Sequence, residues 1–240
     1  MSPWLYRHAL ESIFAHLSLR ELGHVSATCQ DWSTAVSSMR PIGAHTTITD
    51  QFMVFRTTSR LMRHVSAIIF RTSICELSMP YLCGIIKQSK SLTTLDLSSS
   101  WIGEEGASVL AKAIAQSTSL TTLDVSWNPL RAEGAAAIAD AIKQSASLTA
   151  VDLSHAGIGD VGASSLADAI KQSVSLTTVN AHNSLIGFEG ASAIAEAIKQ
   201  SKSLAKVNLR ANFFGAQGKS VIAEAIKQSK SLVVVDLGWN

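Results

Sequence analysis

LTTLDLSSSWIGEEGASVLAKAIAQSTS, from Leu92 to Ser119, decides the architecture because the chain goes on repeating it. Leucines at 92, 120, 148, 176, 204 and 232 are 28 residues apart, with no insertion between them. A KQS triplet keeps the same phase at Lys87, Lys143, Lys171, Lys199 and Lys227, with AQS at Ala115. A fixed period of this length marks stacked repeats. Positions 1, 4, 6 and 11 of the unit are apolar: Leu92, Leu95, Leu97 and Ile102, then Leu120, Leu123, Val125 and Leu130. That alternation predicts a short strand with positions 4 and 6 on one side and 3, 5 and 7 on the other. Position 15 is glycine in every full unit, from Gly106 to Gly218. A glycine there suits a positive φ or a close approach to a neighbour. Positions 16, 19, 20 and 23, which are Ala163, Leu166, Ala167 and Ile170 in the third unit, follow the spacing of a helix stripe. Outside that stripe, acid and base stand three apart at Asp140/Lys143, Asp168/Lys171, Glu196/Lys199 and Glu224/Lys227. Such pairs contribute a few tenths of a kcal/mol each and describe a solvated exterior.

The opening LxxLxLxxSxI resembles the leucine-rich repeat signature. The unit length and the Gly-Ala turn into an amphipathic helix resemble the ribonuclease-inhibitor-like subclass. The resemblance implies an α/β fold, a curved solenoid with an inner parallel sheet and outer helices. Residues 64–91, HVSAIIFRTSICELSMPYLCGIIKQSKS, keep the phase through their helix but lack the strand leucines, and Ser78 replaces the glycine. They read as a degenerate capping repeat. Residues 92–240 then hold five full units plus a terminal strand. Leu232, Val235 and Leu237 of that strand have no following unit to cover them, so either further units follow or this face pairs with something.

Ahead of the repeat, residues 5–32 read LYRHALESIFAHLSLRELGHVSATCQDW, with Leu10, Ile13, Phe14 and Leu17 on one helical stripe and Leu19, Leu22 and Val25 opening another. The order IFxxLxxxELxxVSxxCxxW is similar to the F-box, which implies a small all-α headpiece over residues 1–40. It also implies docking on a Skp-type adaptor and, through it, on a cullin ligase core. The adaptor-binding residues implied are Leu10, Ile13, Leu17, Leu19, Leu22, Val25 and Trp32; Tyr6 stands where the family opens on proline. On the residues alone, a plain helical cap for the solenoid is the alternative. Residues 41–63 read as a linker, with Arg56, Arg60 and Arg63 against the single acid Asp50.

Composition narrows the function. The 240 residues carry 16% charged side chains, against about 25% in ordinary soluble domains, with 47% apolar residues and a net charge of +2. Mean hydropathy is +0.23. Disorder requires the opposite profile, and so small a net charge argues against nucleic acid as a partner. No apolar run reaches the ~18 residues of a membrane span. Cys29, Cys75 and Cys83 form neither a disulfide framework nor a metal-binding pair. The expected setting is soluble and intracellular, cytoplasmic or nuclear.

One motif imitates a cofactor site. Residues 157–162 read GIGDVG, the GxGxxG of dinucleotide loops. Gly159 and Gly162 are repeat positions 12 and 15, shared with the other units, and Val179 and Asn180 stand where a ribose-binding acid belongs. The motif reads as a repeat turn. With no nucleophile–base constellation and no metal-ligand spacing, the expectation is a non-enzyme without cofactor or metal.

Binding is expected on the concave face. Position 5 forms a column of Asp96, Asp124, Asp152, Asn180, Asn208 and Asp236. Neighbouring strands lie about 4.8 Å apart, so the three adjacent carboxylates either attract a cation or basic peptide or are screened by water. Positions 7 and 8 vary while the helices stay constant, which fits recognition on a rigid frame. The predicted partner contacts there are Trp127, His155, His182, Arg210 and Trp239, together with Asp96, Asp124 and Asp152. The resulting function is an F-box substrate receptor of a ubiquitin ligase. The alternatives are a leucine-rich-repeat scaffold or regulator without ligase role, and a GTPase-activating horseshoe.

Overall fold

The computed structural model describes residues 46–48, 65–69 and 79–240. Strands β1 (Thr46–Ile48) and β2 (Val65–Ile69) precede helix α1 (Met79–Gln88). Strand and helix then alternate: β3 (Thr94–Asp96), α2 (Glu104–Ile114), β4 (Thr122–Asp124), α3 (Arg131–Gln144), β5 (Ala150–Asp152) and α4 (Gly159–Gln172). The series ends with β6 (Thr178–Asn180), α5 (Phe188–Gln200), β7 (Lys206–Asn208), α6 (Gly215–Gln228) and β8 (Val234–Asp236). Among the described residues the strands form one parallel sheet in the order β1 to β8, and each helix packs on the next. This is the α/β solenoid that the period implies. The F-box-like headpiece lies outside the described residues.

Register follows the period. Leu95 pairs with Leu123, and Asp96 with Asp124, and the same offset continues to Asn208 and Asp236. Positions 4 and 6 are buried under the helices at Leu95, Leu97, Leu123, Val125, Val151 and Leu153, while position 5 keeps partial solvent contact on the open face. The helix stripe closes the core, with Ala163, Leu166, Ala167 and Ile170 of α4 all buried. Upstream, Ile68 of β2 lies opposite Leu95 and is fully buried, so an isoleucine takes the leucine's place in the degenerate unit. Strand β1 falls inside 41–63, the stretch read as a linker, and pairs in parallel with β2 through a register irregularity at Thr46/Thr47. Three β-branched residues are too short a run to show a period in sequence.

The KQSxS signature acquires a structural role. Its first serine is buried and accepts the backbone N–H three residues on, as Ser145 does from Leu148 at 3.1 Å. Its second serine reaches back one unit: Ser147 donates to the Leu120 carbonyl at 2.9 Å and Ser175 to that of Leu148 at 2.8 Å. Serine hydroxyls thus satisfy the returning loop that the ladder leaves open. The four exterior acid–base pairs form at 2.9–3.2 Å.

The position-15 glycines sit within helices, and none has a positive φ. Close approach is what they serve. A Cβ on Gly162 would lie 2.9 Å from Ile158 Cβ and 3.0 Å from Ala135 Cβ of the preceding helix. In the GIGDVG loop, Gly157 and Gly159 are left-handed (φ +62° and +61°), and Gly162 is this packing glycine. Asp160 of that loop accepts N–H bonds from Gly187 (2.7 Å) and Gly190 (2.9 Å), so it caps α5 of the next unit.

Candidate functional site

Every unit leaves its strand through the same turn. The position-5 side chain accepts the N–H two residues on: Asp96 from Ser98 at 3.0 Å, Asp124 from Ser126 at 2.9 Å, Asp152 from Ser154 at 2.8 Å. Asn180, Asn208 and Asp236 do the same for His182, Arg210 and Gly238 at 3.2, 3.0 and 2.9 Å. These are Asx turns, so the acidic column has a structural duty that the D-x-S spacing foreshadows. Burial pushes the Asp124 carboxyl up despite its hydrogen bonds to Ser126, and the neighbouring Asp152 and Asp96 charges add to the rise.

Position 8 follows in the left-handed region in all six units: Ser99, Trp127, His155, Asn183, Ala211 and Trp239 have φ between 48° and 61°. Through the first five, the backbone N–H of this residue donates to the next unit, as Trp127 does to Ser154 at 2.9 Å and His155 to His182 at 2.9 Å. Bulky residues in this conformation carry strain of about 1 kcal/mol or more each. The turn throws their side chains outward, leaving Trp127 60% and Trp239 79% exposed.

The 28-residue register places these side chains against one another. Trp127 stacks on His155 with ring centroids 3.6 Å apart and planes 10° from parallel. His155 meets His182 edge-on at 5.0 Å. The Asn183 amide nitrogen sits 3.0 Å from His155 Nδ1, and His182 Nδ1 donates to the Arg210 carbonyl at 3.0 Å. Arg210 holds its guanidinium 5.6 Å above the Trp239 ring, within cation–π range. Trp127, His155, His182, Arg210 and Trp239 thus form one ridge along the strand ends, with Asp96, Asp124 and Asp152 in the column below. Ser126 and Ser154, at the position-7 face between them, are buried. The implied adaptor-binding set Leu10, Ile13, Leu17, Leu19, Leu22, Val25 and Trp32 lies outside the described residues.

Burial lowers the His155 pKa, and the adjacent His182 lowers it further against an opposing pull from Asp152. Because the folded-state pKa lies below the ordinary 6.5, the fold favours neutral His155. Its stabilising contribution is complete above the unfolded value and is lost as pH falls through the folded one. Trp127→Ala opens the stack, so the His155 pKa is expected to rise toward 6.5 in an NMR titration of the imidazole. An unchanged value after that substitution would detach the shift from the stack.

Asn128 and Asn212, at position 9, are buried beneath the ridge. Asn128 Oδ1 accepts from Ser100 and Ile102 at 3.1 and 2.8 Å, and its Nδ2 donates to the carbonyls of Leu97 and Val125 at 2.8 and 3.0 Å. Where serine replaces asparagine, Ser184 Oγ donates to Leu153 O at 2.8 Å, covering part of the same set. A separate cavity of about 540 Å³ lies at the N-terminal turns of α1 and α2, walled by Trp101 and Pro80 and flanked by an Arg131–Glu104 ion pair of 3.6 Å.

Among the described residues no group of three or more His, Cys, Asp or Glu is placed to hold a metal ion. Nor is any described helix long and apolar enough to cross a membrane. The site offers aromatic faces, a few cations and turn-bound carboxylates on a rigid frame, which is equipment for recognition.

Comparison with known proteins agrees with this geometry. Residues 88–111, 116–139 and 144–167 match the Leucine Rich repeat, and residues 4–42 match the F-box domain. No curated protein matches the sequence. Among solved structures, Leiomodin-1 Actin-Binding Site 2 is similar at 20% identity and a TM-score of 0.55, covering 65% of this chain and 90% of that one. The tropomodulin C-terminal domain of Caenorhabditis elegans gives 16% identity and a TM-score of 0.49, covering 62% of this chain and 92% of that one. Likeness at the first of these levels concerns the fold alone. Both matched families are interaction modules that are generally non-catalytic, and the chain joins an F-box domain to leucine-rich repeats.

Proposed function

We propose that this chain is the substrate receptor of an SCF-type ubiquitin ligase. Its F-box holds a Skp-type adaptor and through it the cullin core, and its strand-end ridge holds the protein to be modified. Catalysis in this reading is proximity alone: the ligase core supplies the chemistry, and this chain supplies two binding surfaces. The place of work is the cytoplasm or nucleus, where such ligases meet their targets.

The observation that carries the reading is the ridge itself, found in a chain that also matches the F-box domain. Exposed tryptophan and arginine are common energetic anchors of interfaces, and here both tryptophans, Trp127 and Trp239, stand on left-handed backbone. The test is Trp127→Ala/Arg210→Ala in the tagged full-length chain, with co-purified proteins quantified against wild type. The expected result is a loss of about tenfold or more in the target, with adaptor recovery unchanged. Partners recovered equally by both forms would remove the ridge from the account.

A further inference from the structure

The open face changes character between its third and fourth units. Column 5 is acidic at Asp96, Asp124 and Asp152, then becomes amide at Asn180 and Asn208. The turn does not require the change. Asn180 Oδ1 and Asn208 Oδ1 accept the same N–H bonds, at 3.2 and 3.0 Å, that the carboxylates accept at 2.8–3.0 Å. What differs between aspartate and asparagine here is charge and, at Asn180, an amide N–H that reaches Asp152.

The same two units bring in two cations, Lys206 and Arg210, and a histidine. His182 and Arg210 occupy position 7, where the first three units carry serine, and Lys206 occupies position 3, where they carry threonine or alanine. Lys206 and Arg210 are exposed, and neither has an ion-pair partner among the described residues. Arg210 is steered over Trp239, while Asp236, the acid of the adjoining strand, turns its Oδ1 to the Gly238 N–H at 2.9 Å. At the boundary, Asn180 Nδ2 donates to Asp152 Oδ2 at 2.6 Å, which occupies the last carboxylate of the acidic half. Column 5 therefore lacks carboxylates in the two units that carry His182, Lys206 and Arg210, a carboxylate returns at Asp236 on the next strand, and the turn geometry is kept throughout.

We infer that units four and five, around His182, Lys206 and Arg210, dock an acidic, carboxylate-bearing segment of the target protein. The acidic half over β3–β5 fixes its direction by repelling the same charges. This deepens the substrate-receptor reading and rests on it for the presence of a target on this face. Complementary charge of this kind sets specificity and association rate more than total affinity, and exposed pairs weaken as salt shortens the screening length.

The test uses the full-length chain and three labelled twelve-residue peptides of alternating serine with glutamate, glutamine or lysine, followed by fluorescence anisotropy. The glutamate peptide is expected to bind about tenfold tighter than either control at low salt and to lose that preference at high salt. Lys206→Ala/Arg210→Ala should abolish the preference. Asn180→Asp/Asn208→Asp, which preserves the turn bonds, should abolish it as well, and Asp124→Asn should leave it intact. Equal binding of the three peptides, or a preference that survives Asn180→Asp/Asn208→Asp, overturns the inference. If the natural target still depends on Trp127 and Arg210 while the peptides bind alike, the receptor reading stands and only the acidic specificity falls.

Discussion

Gly190→Val is expected to destabilise the solenoid by about 3 kcal/mol or more, the range of severe overpacking. A Cβ at this position would lie 2.7 Å from Asp160 Oδ1, 2.8 Å from Ala163 Cβ and 2.9 Å from Ile186 Cγ2. Three atoms on three different residues close the space, so no single rotamer change relieves it. The displaced Asp160 is also the acceptor for the Gly187 and Gly190 N–H groups, and a lost helix cap adds about 1 kcal/mol. Gly84 supplies the contrast. It too lies in a helix, but an added Cβ there meets nothing within 4 Å. Gly84→Ala should therefore stabilise by about 0.5–1 kcal/mol through helix propensity. Urea unfolding followed by circular dichroism reads both. Equal small effects at the two sites would mean that position 15 is glycine for some reason other than helix–helix approach.

Asn212→Ala is expected to cost a similar amount by an opposite route, removing atoms instead of adding them. Asn212 is 3% exposed. Its Oδ1 accepts from Ser184 at 2.9 Å and Ile186 at 3.0 Å, and its Nδ2 donates to the carbonyls of Ala181 and Leu209, both at 2.9 Å. Truncation leaves three buried backbone groups without a partner, the Ser184 and Ile186 N–H groups and the Ala181 carbonyl, while the Leu209 carbonyl keeps Asn240 Nδ2 at 2.9 Å. Each orphan costs roughly 1–3 kcal/mol before water or relaxation recovers part of it, so about 3 kcal/mol is the expected net loss. Asn212→Ser should fall between, because Ser184 shows that a hydroxyl at position 9 reaches one of the carbonyls. Stability in stacked repeats sums over units and their interfaces. Hydrogen exchange should therefore show the loss concentrated in units four and five. A uniform loss along the chain would contradict the local account.

The frame was legible because it is periodic. Once Leu92, Leu95 and Leu97 recur every 28 residues, the strand, its inward face and the neighbour register all follow, and Leu95 indeed lies opposite Leu123. The alanine-rich stripe likewise sets the helix face, as Ala163 and Ala167 show by their burial. Backbone conformation was not legible, because left-handed residues announce themselves only when they are glycine. Position 8 is left-handed with serine, tryptophan, histidine, asparagine and alanine. The shared turn, not residue preference, carries it, and Trp239 adopts it without a bond to a following unit. For that reason the sequence placed Trp127 and His155 in one column but did not disclose that they stack, nor that His182 is tied to Arg210 O. The carboxylate column was read for its charge alone, and its second duty came from the turn it closes. For position 15 the sequence left two explanations, and the neighbours of Gly162 select close approach.

The central claim joins two surfaces in one chain, and capture of a purified Skp-type adaptor tests it most directly. The measurement compares the full-length chain with Leu19→Asp/Val25→Asp, whose residues belong to the stretch that matches the F-box domain. The account predicts stoichiometric capture by the wild type and none by the double variant, with the circular dichroism of the repeats unchanged. Absence of capture by the wild type, or equal capture by both forms, would contradict it.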